Sequence, residues 1–143
     1  MSSEHPSSPA PQGDYVAAVL HAGTIYTAGM TPRIDGRLTV TGLVGDTVSL
    51  EEAYAATGLA ASNALAAARA VLPDESTGLR CLQMTVYVAA AVGFTQLSAV
   101  ADGASAAIVA ALGPGTLPAR SAIGVATLPS GAPVEVQLVA APL

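Results

Sequence analysis

An α+β domain, with two helices laid on one side of a mixed sheet, is the fold this sequence predicts, and three observations lead there. Short apolar runs with alternating character are separated by two long segments of helical spacing, in the order β-β-α-β-α-β-β. The first helical segment carries its own start and stop signals. The second is bounded by glycine and proline. At 143 residues the chain fits one domain with a sizeable core.

Residues 1–13 are rich in Ser and Pro and lack apolar periodicity, a basic leader or an apolar signal core. They read as a flexible tail whose Pro-Ala-Pro end packs on the domain, and residues 14–143 read as the domain itself. Residues 15–22 and 24–28 predict a hairpin turning at His21-Ala22-Gly23, with Tyr15 opening its first strand. Residues 30–46 read as a loop in which Asp35-Gly36 marks a turn and Arg33 and Arg37 are solvated. Ser49-Leu50-Glu51-Glu52 is a capping box that starts the first helix, so its two acids have a structural explanation. Leu50, Tyr54, Ala61, Leu65 and Leu72 give that helix an apolar stripe, and Pro73 ends it. Residues 79–90 predict a strand with Leu82, Met84, Val86 and Val88 on one face. Residues 94–112 predict the second helix, closed by Gly113-Pro114-Gly115. Residues 118–140 then hold two more strands joined at Pro129 to Pro133.

Composition narrows the function classes. Charged residues are 10% of the chain, well under the usual quarter, and a small domain with so few charges is expected to hide apolar surface against copies of itself. There is no Lys, which removes lysine Schiff-base chemistry and a P-loop lysine. A net charge of −5 argues against a grip on nucleic-acid backbones. The single Cys81 lies in a predicted strand as a core residue, and His5 and His21 show no metal-ligand spacing, so no metal is expected. The charge-free run from Cys81 to Ala101 has too many polar residues and too β-like a start for a membrane span. The cytoplasm is the default compartment.

After Arg80 the chain carries only three charged residues, Asp102, Arg120 and Glu135. A charge in so apolar a segment is partnered, functional or at a solvated strand end. Two readings of Arg120 and Glu135 stand at this point: an ion pair pinning two neighbouring strands, or a functional pair. Asp102 reads as a solvent-facing or locally bonded acid.

The stretch P-A-R-S-A-x-G-V-A-x-L-P-x-G-x-P-V-E-V, from Pro118 to Val136, resembles the C-terminal signature of the RidA/YjgF/YER057c/UK114 family of reactive-intermediate deaminases. The resemblance extends through Ala28-Gly29-Met30, Gly42 to Gly45, the helix from Ser49 with Asn63, and V-A-D-G-A-S from Val100 to Ser105, the last pointing to a divergent subgroup. It implies a chorismate-mutase-like fold in a homotrimer, with sheets lining the centre and three clefts between subunits. It also implies hydrolysis of enamine and imine intermediates, of the 2-iminopropanoate type, to keto compounds and ammonia without a cofactor. Arg120 would hold a substrate carboxylate and Glu135 would activate water and move protons. Tyr15, Gly29, Ser98 and Ala122 would line the ligand. The chain departs from archetypal members at Ala122, where they have Cys, at Ser98, where they have Asn, at Gln137, where they have a second Glu, and at Ala28 and Met30, where they have Ser and Gln. A trimeric module that binds small carboxylates without turnover, and a tailoring or cyclising enzyme for an imine-like biosynthetic intermediate, are the alternatives. The endoribonuclease activity attached to some members ranks last on charge.

Overall fold

The computed structural model describes residues 8–74 and 76–143. Residues 1–7 of the expected tail lie outside the described residues. The strands are β1 (Ala18–His21), β2 (Thr24–Thr27), β3 (Arg33–Ile34), β4 (Arg37–Leu38), β5 (Leu79–Ala89), β6 (Ala119–Val125) and β7 (Val134–Pro142). The helices are α1 (Leu50–Ala70) and α2 (Leu97–Leu112), with a 3₁₀ turn at Pro129–Gly131. Five strands form one sheet in the order β1-β2-β7-β5-β6, and β3 and β4 form a separate small hairpin. Only β5 and β6 run parallel, because α2 carries the chain across between them. The architecture is the α+β arrangement expected from the sequence, with both helices against one side of the mixed sheet.

Each element follows from its local sequence, with four corrections. The capping box is present in full: the Glu52 amide donates to Ser49 Oγ at 3.0 Å, and the Ser49 amide donates to Glu52 Oε1 at 3.0 Å. Yet α1 buries an alanine face, Ala53, Ala56, Ala60, Ala64 and Ala67 among it, while Tyr54 of the expected stripe stays exposed. Small side chains let the helix axis sit close to its neighbours, and a tyrosine on that face would hold it off. Tyr15 does not open β1, which begins three residues later; the chain turns at Gly13, whose carbonyl accepts from the Tyr15 amide at 3.0 Å. The segment 30–46 is not all loop, since Asp35 and Gly36 both take positive φ (51° and 79°) and close the β3–β4 hairpin.

The fourth correction is Leu82. A register shift between Cys81 and Gln83 inserts one residue in β5, so Leu79 and Cys81 share the buried face with Met84, Val86 and Val88, and Leu82 is turned out to solvent. Cys81 is a core residue as expected, and burial pushes its thiol up to about 11 despite the opposing influence of Arg69. The helix-facing side of the sheet is thus filled by Ile25, Met84, Val86, Val136 and Leu138. The opposite side leaves Val19, Tyr26 and Ile123 exposed. Among the described residues, no helix is long and apolar enough to cross a membrane.

Candidate active site

Arg120 lies on β6, the sheet's edge strand next to α2. Ser98, Asp102 and Ser105 are spaced four and three apart on α2, which sets them on one face of the helix. That face receives the guanidinium. Arg120 Nη1 donates to Asp102 Oδ1 at 2.9 Å and to Ser105 Oγ at 2.9 Å. Nη2 donates to Ser98 Oγ at 2.8 Å and more weakly to the Ser98 carbonyl at 3.4 Å. The Arg120 side chain is 20% exposed and that of Asp102 is 60% exposed. Asp102 faces solvent, as the sequence allowed, but its bond is to Arg120 on a different element, and Gly103 beside it seats α2 on α1. A Cβ at Gly103 would lie 2.8 Å from the Tyr54 carbonyl carbon and overlap its oxygen.

The ion-pair reading of Arg120 with Glu135 is overturned. The two strands after residue 118 are not neighbours; β5 runs between them, parallel to one and antiparallel to the other. Cross-strand partners share a face, and the two charges occupy opposite ones. Met84, buried on the helix side, is paired with both Arg120 and Leu138. Tyr87, on the other side, is paired with both Ile123 and Glu135. A single chain therefore cannot bring the Arg120 guanidinium and the Glu135 carboxyl to one ligand.

The expected site residues fall into two groups accordingly. Ser98, Arg120 and Ala122 stand together on the helix side, with Ala122 paired to buried Val86. Glu135 and Gly29 form the second group, and Tyr15 is joined to it only through a recess shared with Gly29. The Glu135 carboxyl lies over Gly29, where a Cβ would sit 2.6 Å from Glu135 Cδ and overlap Oε2, so the approach requires glycine. Tyr15 is 47% exposed and lines a small recess with Pro9, Gln12, Gly29, Met30 and Asn63. Its hydroxyl accepts from the Gln12 amide at 3.0 Å, and the Pro-Ala-Pro segment forms part of the same wall. Asn63 holds the floor by donating to the carbonyls of Thr31 and Arg33. Burial pushes the Glu135 carboxyl above its ordinary value.

That shift has a testable sign. A carboxyl whose pKa is raised by folding favours the folded state while protonated, and the contribution is lost as pH rises through the folded pKa. Glu135→Gln should therefore melt above the parent near about pH 8, with the gap narrowing as pH falls and the parent's carboxyl takes up its proton. Melting curves that run parallel across this range would contradict it.

Two contacting residues were not picked out from the sequence. Ser105 belongs to the V-A-D-G-A-S motif, and its spacing from Ser98 and Asp102 was the available signal. Tyr87 donates to Gln137 Oε1 at 3.0 Å on the open face beside Glu135, a pairing that only the strand register reveals. Among the described residues, no three His, Cys, Asp or Glu converge as a metal cluster would.

Comparison with known proteins agrees with this architecture. The model of the family described as Endoribonuclease L-PSP matches residues 5–142. Protein TCP17 of Trypanosoma cruzi is 34% identical over 132 residues, covering 92% of this chain and 82% of that protein. Atu1372 of Agrobacterium tumefaciens, a protein of unknown function, superposes with a TM-score of 0.87 at 33% identity, over 97% of this chain and 86% of the other. Escherichia coli TdcF with bound serine superposes with a TM-score of 0.66 at 20% identity, over 94% and 92% of the two chains. Matched from residue 5 to residue 142, and sharing its fold with the YjgF product of Escherichia coli, the chain belongs to the endoribonuclease L-PSP family, the YjgF/RidA family that its motifs resemble.

Proposed function

We propose that this protein hydrolyses enamine and imine intermediates to keto compounds and ammonia, in a cleft that a neighbouring copy completes. The observation that carries this reading is the division of the charged residues between the two sides of the sheet. Glu135, with its raised pKa, sits over Gly29 on one side, and Arg120 sits on the other at an edge strand. The exposed apolar residues around Glu135's side of the sheet favour contact with another copy. A homotrimer, as in the family resemblance, would supply Arg120, Ser98 and Ala122 from one subunit and Glu135, Gly29 and Tyr15 from the next.

The chemistry asks little of such a site. Water adds to the C=N carbon while the Glu135 carboxylate takes its proton. The same carboxyl returns that proton to nitrogen; it then carries the hydroxyl proton of the carbinolamine to the amine, which leaves as ammonia as the C=O bond forms, an enamine first tautomerising to the imine. A carboxyl with a raised pKa is better matched to both proton transfers at neutral pH than an ordinary one. Arg120 orients the substrate's polar end, and the backbone at Gly29 and Ala122 fixes its outline. The tally of −5 net charge without any Lys weighs against RNA cleavage as the main activity.

The test is release of keto compound and ammonia from freshly generated imines, using protein shown by light scattering to be trimeric. Turnover above the spontaneous rate, much reduced in Glu135→Gln, is expected. Spontaneous rates with every imine, from folded trimer, would leave a binding module in place of an enzyme.

A further inference from the structure

Arg120 does not face the cleft with its donors free. A guanidinium has five N–H groups, and two parallel ones are needed to clamp a carboxylate. Here both Nη1 bonds go to Asp102 and Ser105, and Nη2 bonds to the hydroxyl and carbonyl of Ser98. Among the described residues no bond is made by Nε, so one donor and the flat face of the group remain. The seat of an incoming carboxylate is filled by the chain's own, because Asp102 takes the charge-assisted bond at 2.9 Å. Asp102 is also 60% exposed, so its negative charge stands at the surface beside the guanidinium and repels a second anion there.

We infer that Asp102 sets the charge class of the substrate: the site takes a ligand that meets Arg120 through one uncharged acceptor, such as an amide, ester or ketone oxygen, and discriminates against a carboxylate at that position. The inference rests on the reading of Arg120 as a ligand-facing group. It replaces the carboxylate clamp with a single-donor contact to a neutral group. Ser98 and Ser105 share in it by holding the terminal nitrogens, which keeps the guanidinium from turning its fork outward.

Pyruvate and pyruvamide, nearly equal in shape and different in charge, provide the probes. Their dissociation constants are to be measured by calorimetry on the parent protein, on Asp102→Asn and on Asp102→Asn combined with Arg120→Ala. Asparagine keeps an acceptor for Arg120 and removes the charge at an exposed position, so the fold is expected to survive. The parent should hold pyruvamide more tightly than pyruvate. Asp102→Asn should tighten pyruvate about tenfold while moving pyruvamide less than about threefold, an exchange of the size one released charge contact supplies. Adding Arg120→Ala should erase the gain. A parent that prefers pyruvate, an Asp102→Asn variant with unchanged or weaker pyruvate binding, a gain that survives loss of Arg120, or failure of all three proteins to hold either compound would each overturn the inference. Failure of the imine assay alone would remove the catalytic reading and leave the charge selection standing, since these constants involve no turnover.

Discussion

Arg120→Ala should lower kcat/KM for any imine the protein turns over by about ten- to 150-fold, the equivalent of about 1.5–3 kcal/mol for a hydrogen bond with one charged partner. The expected loss is large because the guanidinium serves two purposes. It ties β6 to α2 through Ser98, Asp102 and Ser105, and on the proposed reading it also presents its remaining donor to the ligand. Arg120→Lys should fail nearly as badly. An ammonium is a point charge on a flexible stem and cannot reach three side chains in different directions while still offering a donor to the cleft. The measurement is steady-state turnover together with thermal melting of both variants. A folded Arg120→Lys protein with parental kcat/KM would show that position 120 supplies only charge.

Gly103→Ala is expected to be the most damaging single methyl in the chain for stability. The added Cβ would run into the Tyr54 carbonyl and lie 2.5 Å from Thr57 Oγ1. Neither can yield cheaply. The first is backbone in the second turn of α1, and the Thr57 hydroxyl is buried with bonds to the carbonyls of Tyr54 and Val100. The two helices must separate, at a cost of about 1–3 kcal/mol for overpacking, and each has its side chains keyed to the other. Separation would also carry Asp102 and Ser105 away from Arg120. Gly103→Ala should therefore lower the melting temperature and loosen the site in the same variant. A melt within a degree of the parent's would show that the helix contact is softer than its geometry implies.

Much of this fold could be read from the sequence because its signals are local. The capping box, the Asp35-Gly36 turn and the alternation of residues 84–88 each act through neighbours a few positions apart. The misreadings share a different origin. One inserted residue at Leu82 shifts the first three residues of β5 to the other face, and nothing in the residue types announces it. The many alanines of α1 do imply the close packing that the structure shows, but placing Tyr54 in the buried stripe took its size for burial. Pairing Arg120 with Glu135 assumed that consecutive strands are neighbours; the final strand instead enters between β2 and β5, which is a matter of topology. The charges themselves were conspicuous, being rare in their half of the chain. Their partners were not, because Asp102 is 18 residues from Arg120 and on a different element.

The opposite placement of Arg120 and Glu135 also constrains how copies could assemble. An interface that brings the edge-strand side of one chain to the open face of another joins two unlike patches, and because these lie on opposite sides of the sheet the contact runs head to tail. Each chain so joined still has one patch of each kind unmatched until the series comes back on itself. A two-fold dimer would have to hold both patches of each chain within one interface, and the two stand on opposite sides of the sheet. A closed ring gives every chain both partners, and three is among the smallest numbers that can close it.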